Sequence, residues 1–372
     1  MDRVNTLLDR FLGPVNGPIE PARSMPFWIG FLLVLIGLVI LPHYLSRYEL
    51  LNFNNILSNI FLAMGLCLIW GFAGILSLGQ AVFLGLGGYA YGIVGINLIE
   101  THGNTWLALA AGLSFPVFVA AALGWLMFYG RLTGVYVAIL MLVVAMLIET
   151  FLNQTAGEQW FIGQAHLGGN NGLGRFSGVM RKPPSLTLGF GDALLVFKGS
   201  SLAFYYLVCG LGVVIYLGLR ALINSGFGHV LVAIREDPER TEALGYDIRL
   251  IQLLVFCLAA FLAALSGVLY VSWGNFITPN VFGVFYNILP IIWVAVAGRR
   301  SLTCSVIGCV ALVWLSQWLA LQGDIAFVAL GAILVAVMLL MPEGILIGVG
   351  ERIGRLFVRL GIGRSSTGPG DG

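Results

Sequence analysis

The stretch LIQLLVFCLAAFLAALSGVLYVSW, residues 250 to 273, runs for 24 residues without an Asp, Glu, Lys, Arg or His. A hydrocarbon layer about 30 Å thick needs about 20 apolar residues in a helix, so this stretch is long enough to cross a bilayer. Runs of the same character occupy 27 to 45, 53 to 70, 74 to 98, 106 to 128, 132 to 152, 201 to 222, 302 to 321 and 324 to 341. One further apolar segment, 283 to 297, is only fifteen residues long and contains Asn287 and Pro290. At 1.5 Å per residue it reaches roughly 22 Å, so it reads as a short, broken or re-entrant helix. Such an element is tolerated at membrane depth only where protein or a watery cavity satisfies its backbone, which makes it a candidate pathway wall. The expected fold class is all-α: a polytopic integral membrane protein of about ten transmembrane helices, one of them short.

Composition agrees. With 59% hydrophobic and 10% charged residues and a mean hydropathy of +0.96, the chain lies far from a soluble domain's mixture. Net charge is +2 and only Lys182 and Lys198 are lysines, so no basic field exists to hold nucleic acid. Cys67, Cys209, Cys257, Cys304 and Cys309 lie singly in apolar stretches, without CxxC or a nearby His at ligand spacing, so no metal or disulfide framework is expected. Arg3, Arg10 and Arg23 precede the first apolar run, and no small-residue cleavage site follows it, so that run reads as a retained span.

With the N-terminus inside, the inside pieces hold Arg3, Arg10, Arg23, Arg131, Arg220, Arg235, Arg240, Arg249, Arg299, Arg300, Arg352, Arg355, Arg359 and Arg364, 14 of the 19 basic residues. The outside pieces hold Arg47, with Arg175, Arg181, Lys182 and Lys198 in the long 153 to 200 segment, where the positive-inside rule has little force. The expected organisation is a cytoplasmic segment 1 to 26, a membrane domain 27 to 348 with an outer segment 153 to 200 and an inner loop 223 to 249, and a cytoplasmic tail 349 to 372. In the third span, Gly85, Gly88, Gly92 and Gly95 recur at helical spacing, giving a smooth face expected to press on another helix.

The spans carry little ionisable chemistry. Among Asp, Glu, Lys, Arg and His, only His43, Glu149, Arg220 and Asp324 fall inside them, each near a segment end. A proton- or sodium-coupled carrier needs such a group at depth, and an intramembrane hydrolase needs a metal-binding pair or a positioned base. None of His43, His102, His166 and His229 opens an HExxH motif. A phosphate-binding loop needs Lys followed by Ser or Thr, but Lys182 precedes Pro183 and Lys198 precedes Gly199. If transport is active, its energy must arrive from another polypeptide.

The inner loop contains AIREDPERTEALGYD, residues 233 to 247. Asp237 suits a helix N-cap, Pro238 its first turn and Gly245 its exit, so a two-turn helix over 238 to 244 is expected, about 10 Å long. So short a helix is marginal alone. Its charged face (Arg235, Glu236, Asp237, Glu239, Arg240, Glu242), with Ala243 and Leu244 as an apolar edge, suits docking into a partner's groove; a solvated loop is the bland alternative.

This stretch resembles the coupling loop of the branched-chain amino acid permease family of ABC importers. WGFAGILSLGQAVFLGLGGYAYG (70 to 92), LGGNNGL (167 to 173) and MPEGILIG (341 to 348) resemble the same family in the expected order, covering most of residues 50 to 348. The resemblance implies an all-helical permease that pairs with a second permease subunit, two ATP-binding subunits and a periplasmic solute-binding protein. It implies that Arg235, Glu236, Asp237, Pro238, Glu239, Arg240, Thr241, Glu242, Ala243, Leu244 and Gly245 form the ATPase-coupling element. ATP and Mg would sit on the partner subunits, with no cofactor or metal bound by this chain, in a bacterial inner membrane with both termini cytoplasmic. Spans two to five and seven to ten would form two antiparallel halves. AGxxSL occurs both at Ala73 to Leu78 and at Ala297 to Leu302, where it reads as similar turn chemistry. The chain departs from the family where Arg299, Arg300, Ser301 and Cys304 stand in a turn that relatives make glycine-rich. IIWVAVAGR and Asn170-Asn171 resemble the urea and short-chain amide branch.

Uncharged polar groups at depth, Ser77, Gln80, Asn97, Asn275 and Asn287, are candidates for the substrate path, and each also fits helix packing or a turn. An uncharged lining suits a small neutral or zwitterionic solute, most directly a branched-chain amino acid, with urea or a short-chain amide as the alternative. Two readings of other classes stand beside it: a passive urea-type channel, and a lipid-handling enzyme with Arg299 and Arg300 on a phosphate.

Overall fold

The computed structural model describes residues 25–157, 159–173, 181–190 and 193–320, together with Gly331. Residues 1–24, the stretch MPEGILIG and the 349 to 372 tail lie outside the described residues, as does the 324 to 341 run apart from Gly331. The described helices are α1 (Met25–Ile40), α2 (Arg47–Leu66), α3 (Gln80–His102), α4 (Trp106–Tyr129), α5 (Val135–Asn153), α6 (Leu202–Asn224), α7 (Gly226–Glu236), α8 (Pro238–Ala243), α9 (Ile248–Gly274), α10 (Val284–Ala297) and α11 (Leu302–Ala320). Among them 7 are long and apolar enough to cross a membrane, and α1 and α10 are shorter apolar helices. The protein is an all-α polytopic membrane protein.

Helix ends follow local chemistry. α2 opens with a reciprocal capping box, in which Glu49 N donates to Ser46 Oγ (3.3 Å) and Ser46 N donates to Glu49 Oε2 (2.8 Å). Ser201 caps α6 and Asp247 caps α9. α9 ends at Asn275 in the left-handed conformation, a place that asparagine tolerates.

α9 is the central post, packed against α2, α3 and α4. Small residues let the backbones meet: a Cβ on Gly267 would lie 1.9 Å from the Leu84 carbonyl, and one on Gly87 would lie 2.8 Å from that of Ala264. α5 instead exposes Val135, Tyr136, Ile139, Val143, Met146 and Leu147, an apolar face suited to lipid.

Two findings depart from the sequence reading. The outer segment folds into two hairpins, Phe161–Ile162 with Ala165–His166, and Leu186–Phe190 with Ala193–Phe197. The second is tied to the start of α4, where Thr105 N donates to the Thr187 carbonyl and Thr187 N to Thr105 Oγ1, both at 2.9 Å. The glycine face of α3 meets irregular chain as well as a helix. A Cβ on Gly85 would strike the Phe282 ring, one on Gly88 would strike Ile277 and Val271, and one on Gly95 would strike Pro184.

That irregular chain explains why α10 is short. Between α9 and α10 the chain runs through residues 275 to 283, with a 3-10 turn at Pro279–Phe282 and with Ile277, Val281 and Phe282 buried. Its backbone is satisfied by the LGGNNGL stretch, since Leu173 N donates to the Ile277 carbonyl (2.8 Å) and Ile277 N donates back (3.4 Å). Gly172 holds φ +69°, and a Cβ there would lie 2.0 Å from the Ile277 carbonyl. Gly172→Ala is therefore expected to lower stability by about 1–3 kcal/mol. Thermal denaturation in detergent checks this, with Gly210→Ala as the control, because a Cβ on Gly210 of α6 meets nothing within 4 Å.

Candidate functional site

Helix α7 is held by its apolar side, where Leu231 and Ile234 are buried, while its last residues turn toward the end of α2. α2 does not stop at Leu66 but continues as a π-helical turn, Cys67–Phe72, in which Ala73 N reaches the Leu68 carbonyl (3.3 Å). Such turns are rare and concentrate at functional sites.

Arg235, near the end of α7, donates from Nη1 to the Gly71 carbonyl of that turn at 2.6 Å. Its aliphatic stem lies on Gly74, which holds φ +75° and where a Cβ would sit 2.7 Å from Arg235 Cγ. Arg235 also pairs with Glu236 (Nη2 to Oε1, 2.6 Å). The hydrogen bonds and charge of Arg235, with a smaller contribution from Arg300, hold the Glu236 carboxyl below its usual range. The carboxylate and its pairing thus persist at neutral pH and are lost only on acidification through that lowered value.

The opposite side of the π turn is closed by the turn between α10 and α11. A Cβ on Gly71 would lie 1.9 Å from the Arg299 carbonyl, and the Arg299 guanidinium stands 5.4 Å from the Trp70 ring centroid. The two AGxxSL stretches thus lie at one end of the bundle, and both their glycines, Gly74 (φ +75°) and Gly298 (φ +124°), need positive φ.

Beyond Glu236, α8 forms where the cap signals put it. Asp237 Oδ1 accepts from Arg240 N (3.0 Å), Asp237 Oδ2 meets Arg240 Nε (2.8 Å), Pro238 opens the helix and Gly245 leaves it at φ +91°. Thr241 is buried with its hydroxyl on the Asp237 carbonyl (2.8 Å). Glu239, Arg240, Glu242, Ala243 and Leu244 are exposed, Leu244 to 77% and the following Tyr246 to 47%. A leucine and a tyrosine left in solvent beside a charged ridge form a surface suited to a partner's groove.

The five uncharged path candidates separate into two groups. Asn97 donates to the Ile93 and Ile162 carbonyls (2.8 and 2.9 Å) and accepts from Gln164 N (2.6 Å), fastening the first hairpin to α3. Asn275 donates to the Pro183 carbonyl and Ser185 Oγ, both at 3.0 Å. Gln80 opens α3, Asn287 bonds to the residue after it, and Ser77 lies three residues before Gln80. There Asn287 Oδ1 accepts from Ala81 N (3.2 Å), and its Nδ2 donates to the Phe282 and Gly283 carbonyls (2.8 and 3.0 Å). Gln80 Nε2 donates to the Ala259 carbonyl (2.8 Å). Gln80 Oε1 and Ser77 Oγ are buried and have no hydrogen-bond partner among the described residues.

The sequence reading missed the contact between Arg235 and Gly71, 164 positions apart. The glycines in WGFAG were its only signal. It also missed Tyr89, a buried tyrosine whose hydroxyl lacks a partner among the described residues.

The described residues thus form a helical membrane bundle, with Arg220 the charged side chain buried in α6, and carry at one end a short exposed helix on a base pinned by Arg235. A family model described as "Branched-chain amino acid transport system / permease component" matches residues 53–342, and the chain belongs to that family. It is 26% identical over 333 residues to the high-affinity branched-chain amino acid transport system permease protein LivM of Escherichia coli K12, covering 85% of this chain and 74% of that protein. It is 29% identical over 99 residues, 26% of this chain and 29% of the relative, to a probable LivM of Methanocaldococcus jannaschii. It is also 26% identical over 303 residues to the ribose import permease protein RbsC of Escherichia coli K12, covering 78% of this chain and 84% of that protein. No solved structure matches.

Proposed function

We propose that the chain is the translocation subunit of an ATP-driven importer for a small neutral or zwitterionic solute, with branched-chain amino acids as the leading cargo. Energy comes from two separate ATP-binding subunits, which hold ATP and Mg, while this chain carries no nucleotide site and is not itself an enzyme. A second permease subunit completes the pathway, and a periplasmic solute-binding protein delivers the cargo. The protein sits in the inner membrane with both termini cytoplasmic, α7 and α8 facing the cytoplasm and the hairpins facing the periplasm.

The observation that carries this reading is the exposed ridge of α8, with Glu242 and Leu244 presented on a base fixed by Arg235. The residues 235 to 245 then form the coupling element, and Ser77, Gln80 and Asn287 line the path. Family membership and the likeness to LivM support the cargo class.

The test is uptake of labelled leucine, valine and urea by cells expressing the complete transporter. Uptake of leucine or valine is expected, and depletion of ATP is expected to abolish it. Uptake that persists without ATP would instead indicate a passive channel, and uptake of urea alone would move the cargo to the amide branch.

A further inference from the structure

We infer that Arg235 is a positioning residue for transport: it pins the α7–α8 unit to the π turn of α2, so that displacement of α8 reshapes the polar floor at Ser77 and Gln80. This rests on the coupling role proposed above for α8.

The contact is both electrostatic and steric. A guanidinium donating at 2.6 Å to the Gly71 carbonyl is a charge-assisted bond. The stem of the same side chain lies against Gly74, where any Cβ would intrude to 2.7 Å. Movement of α7 therefore carries residues 71 to 74 with it.

That movement has two outlets, and both end at the foot of α3. One is the chain itself, because residues 73 to 79 lead directly from the pinned turn to Gln80. The other is α10. Gly71 is backed by the Arg299 carbonyl, just past the end of α10, and Asn287 in that helix's first turn accepts from Ala81 N. α10, 14 residues long with Pro290 in its interior, joins these two contacts. The π turn, α10 and the start of α3 thus form a closed ring, to which Arg235 pins α7.

The floor itself carries unpaired polar atoms. Ser77 Oγ and Gln80 Oε1 are fully buried without partners among the described residues, which costs free energy that contact with water or solute in an opened state would return.

The experiment uses the complete transporter in native membranes, with this chain's five cysteines replaced and Ser77→Cys introduced as the reporter. Alkylation by N-ethylmaleimide is compared with and without ATP plus vanadate. With Arg235 present, nucleotide is expected to raise labelling at least about fivefold. Arg235→Ala should lose the rise, and Arg235→Lys, which keeps charge and donor, should restore much of it, with the ATP-binding subunits copurifying equally throughout. An undiminished rise in Arg235→Ala, or no rise in the parent, overturns the proposal. Loss of the ATP-binding subunits from Arg235→Ala also overturns it, since the residue would then serve docking. Leu76→Cys serves as a second reporter if Ser77→Cys does not accumulate, and Arg235→Gln replaces Arg235→Ala on the same condition. Failure of the coupling reading is separately visible, because Glu242→Arg would then leave uptake intact.

Discussion

Glu242→Arg is expected to abolish ATP-driven uptake while leaving the permease in the membrane at its normal level. Glu242 is exposed on α8 and makes no ion pair among those found in the described residues, so its replacement removes no internal support. Substitutions at such positions change stability by no more than about 0.5 kcal/mol. At an interface the same change reverses a charge against a surface shaped for the original one, a mismatch of several kcal/mol. Each 1.4 kcal/mol is about tenfold in affinity, so at least a tenfold loss of docking is expected. Leu244→Arg should act similarly, by placing a charge where an apolar side chain enters a groove. The measurement is initial-rate uptake of labelled leucine, normalised to permease in the membrane by immunoblot. Uptake within twofold of the parent would reject α8 as the coupling element.

Asn287→Leu carries the second large effect, and it acts on the folded bundle. Asn287 is buried, and its amide joins three segments: the start of α3, the irregular chain before α10 and α10 itself. Leucine keeps the bulk and removes every hydrogen bond. The Gly283 carbonyl retains Asn287 N as a donor at 3.2 Å, so the groups left unpaired are Ala81 N and the Phe282 carbonyl. An unpaired buried group costs about 1–3 kcal/mol, so a destabilisation of roughly 2–6 kcal/mol is expected. Thermal denaturation of purified transporter at one fixed scan rate, with and without the substitution, reads this directly. A melting temperature within a degree of the parent would mean that these groups find other partners.

The parts of this fold legible in the sequence were those set by neighbours in the chain. Helix α9 follows from an uncharged apolar run, α8 from Asp237, Pro238 and Gly245, and the shortness of α10 from its fifteen-residue stretch. What was not legible depends on partners far away. LGGNNGL gave no sign that it supplies backbone groups to Ile277, because a carbonyl's need for a donor belongs to the irregular chain a hundred residues later. The glycine stripe of α3 predicted close approach but could not say what approaches. The second hairpin was hinted at by LTLGF and ALLVF either side of Gly191-Asp192, a pattern of strand and turn lost inside a segment read only for its length. Among the path candidates, side-chain type alone could not separate Asn97 and Asn275, whose bonds fasten loops, from Gln80 and Ser77, which retain unpaired oxygens.

The π turn at Cys67–Phe72 also fixes the phase of everything downstream of it. An α-helix advances about 100° per residue, so one amino acid deleted from α2 ahead of this turn would swing the Gly71 carbonyl by roughly a quarter of a revolution, away from the guanidinium that meets it. Deletions and insertions here are therefore not interchangeable with those in an ordinary loop. A change of about seven residues, close to two full revolutions, would bring the carbonyl back into line, but about 10 Å further along the axis. The length of this stretch is accordingly as constrained as the identity of its residues.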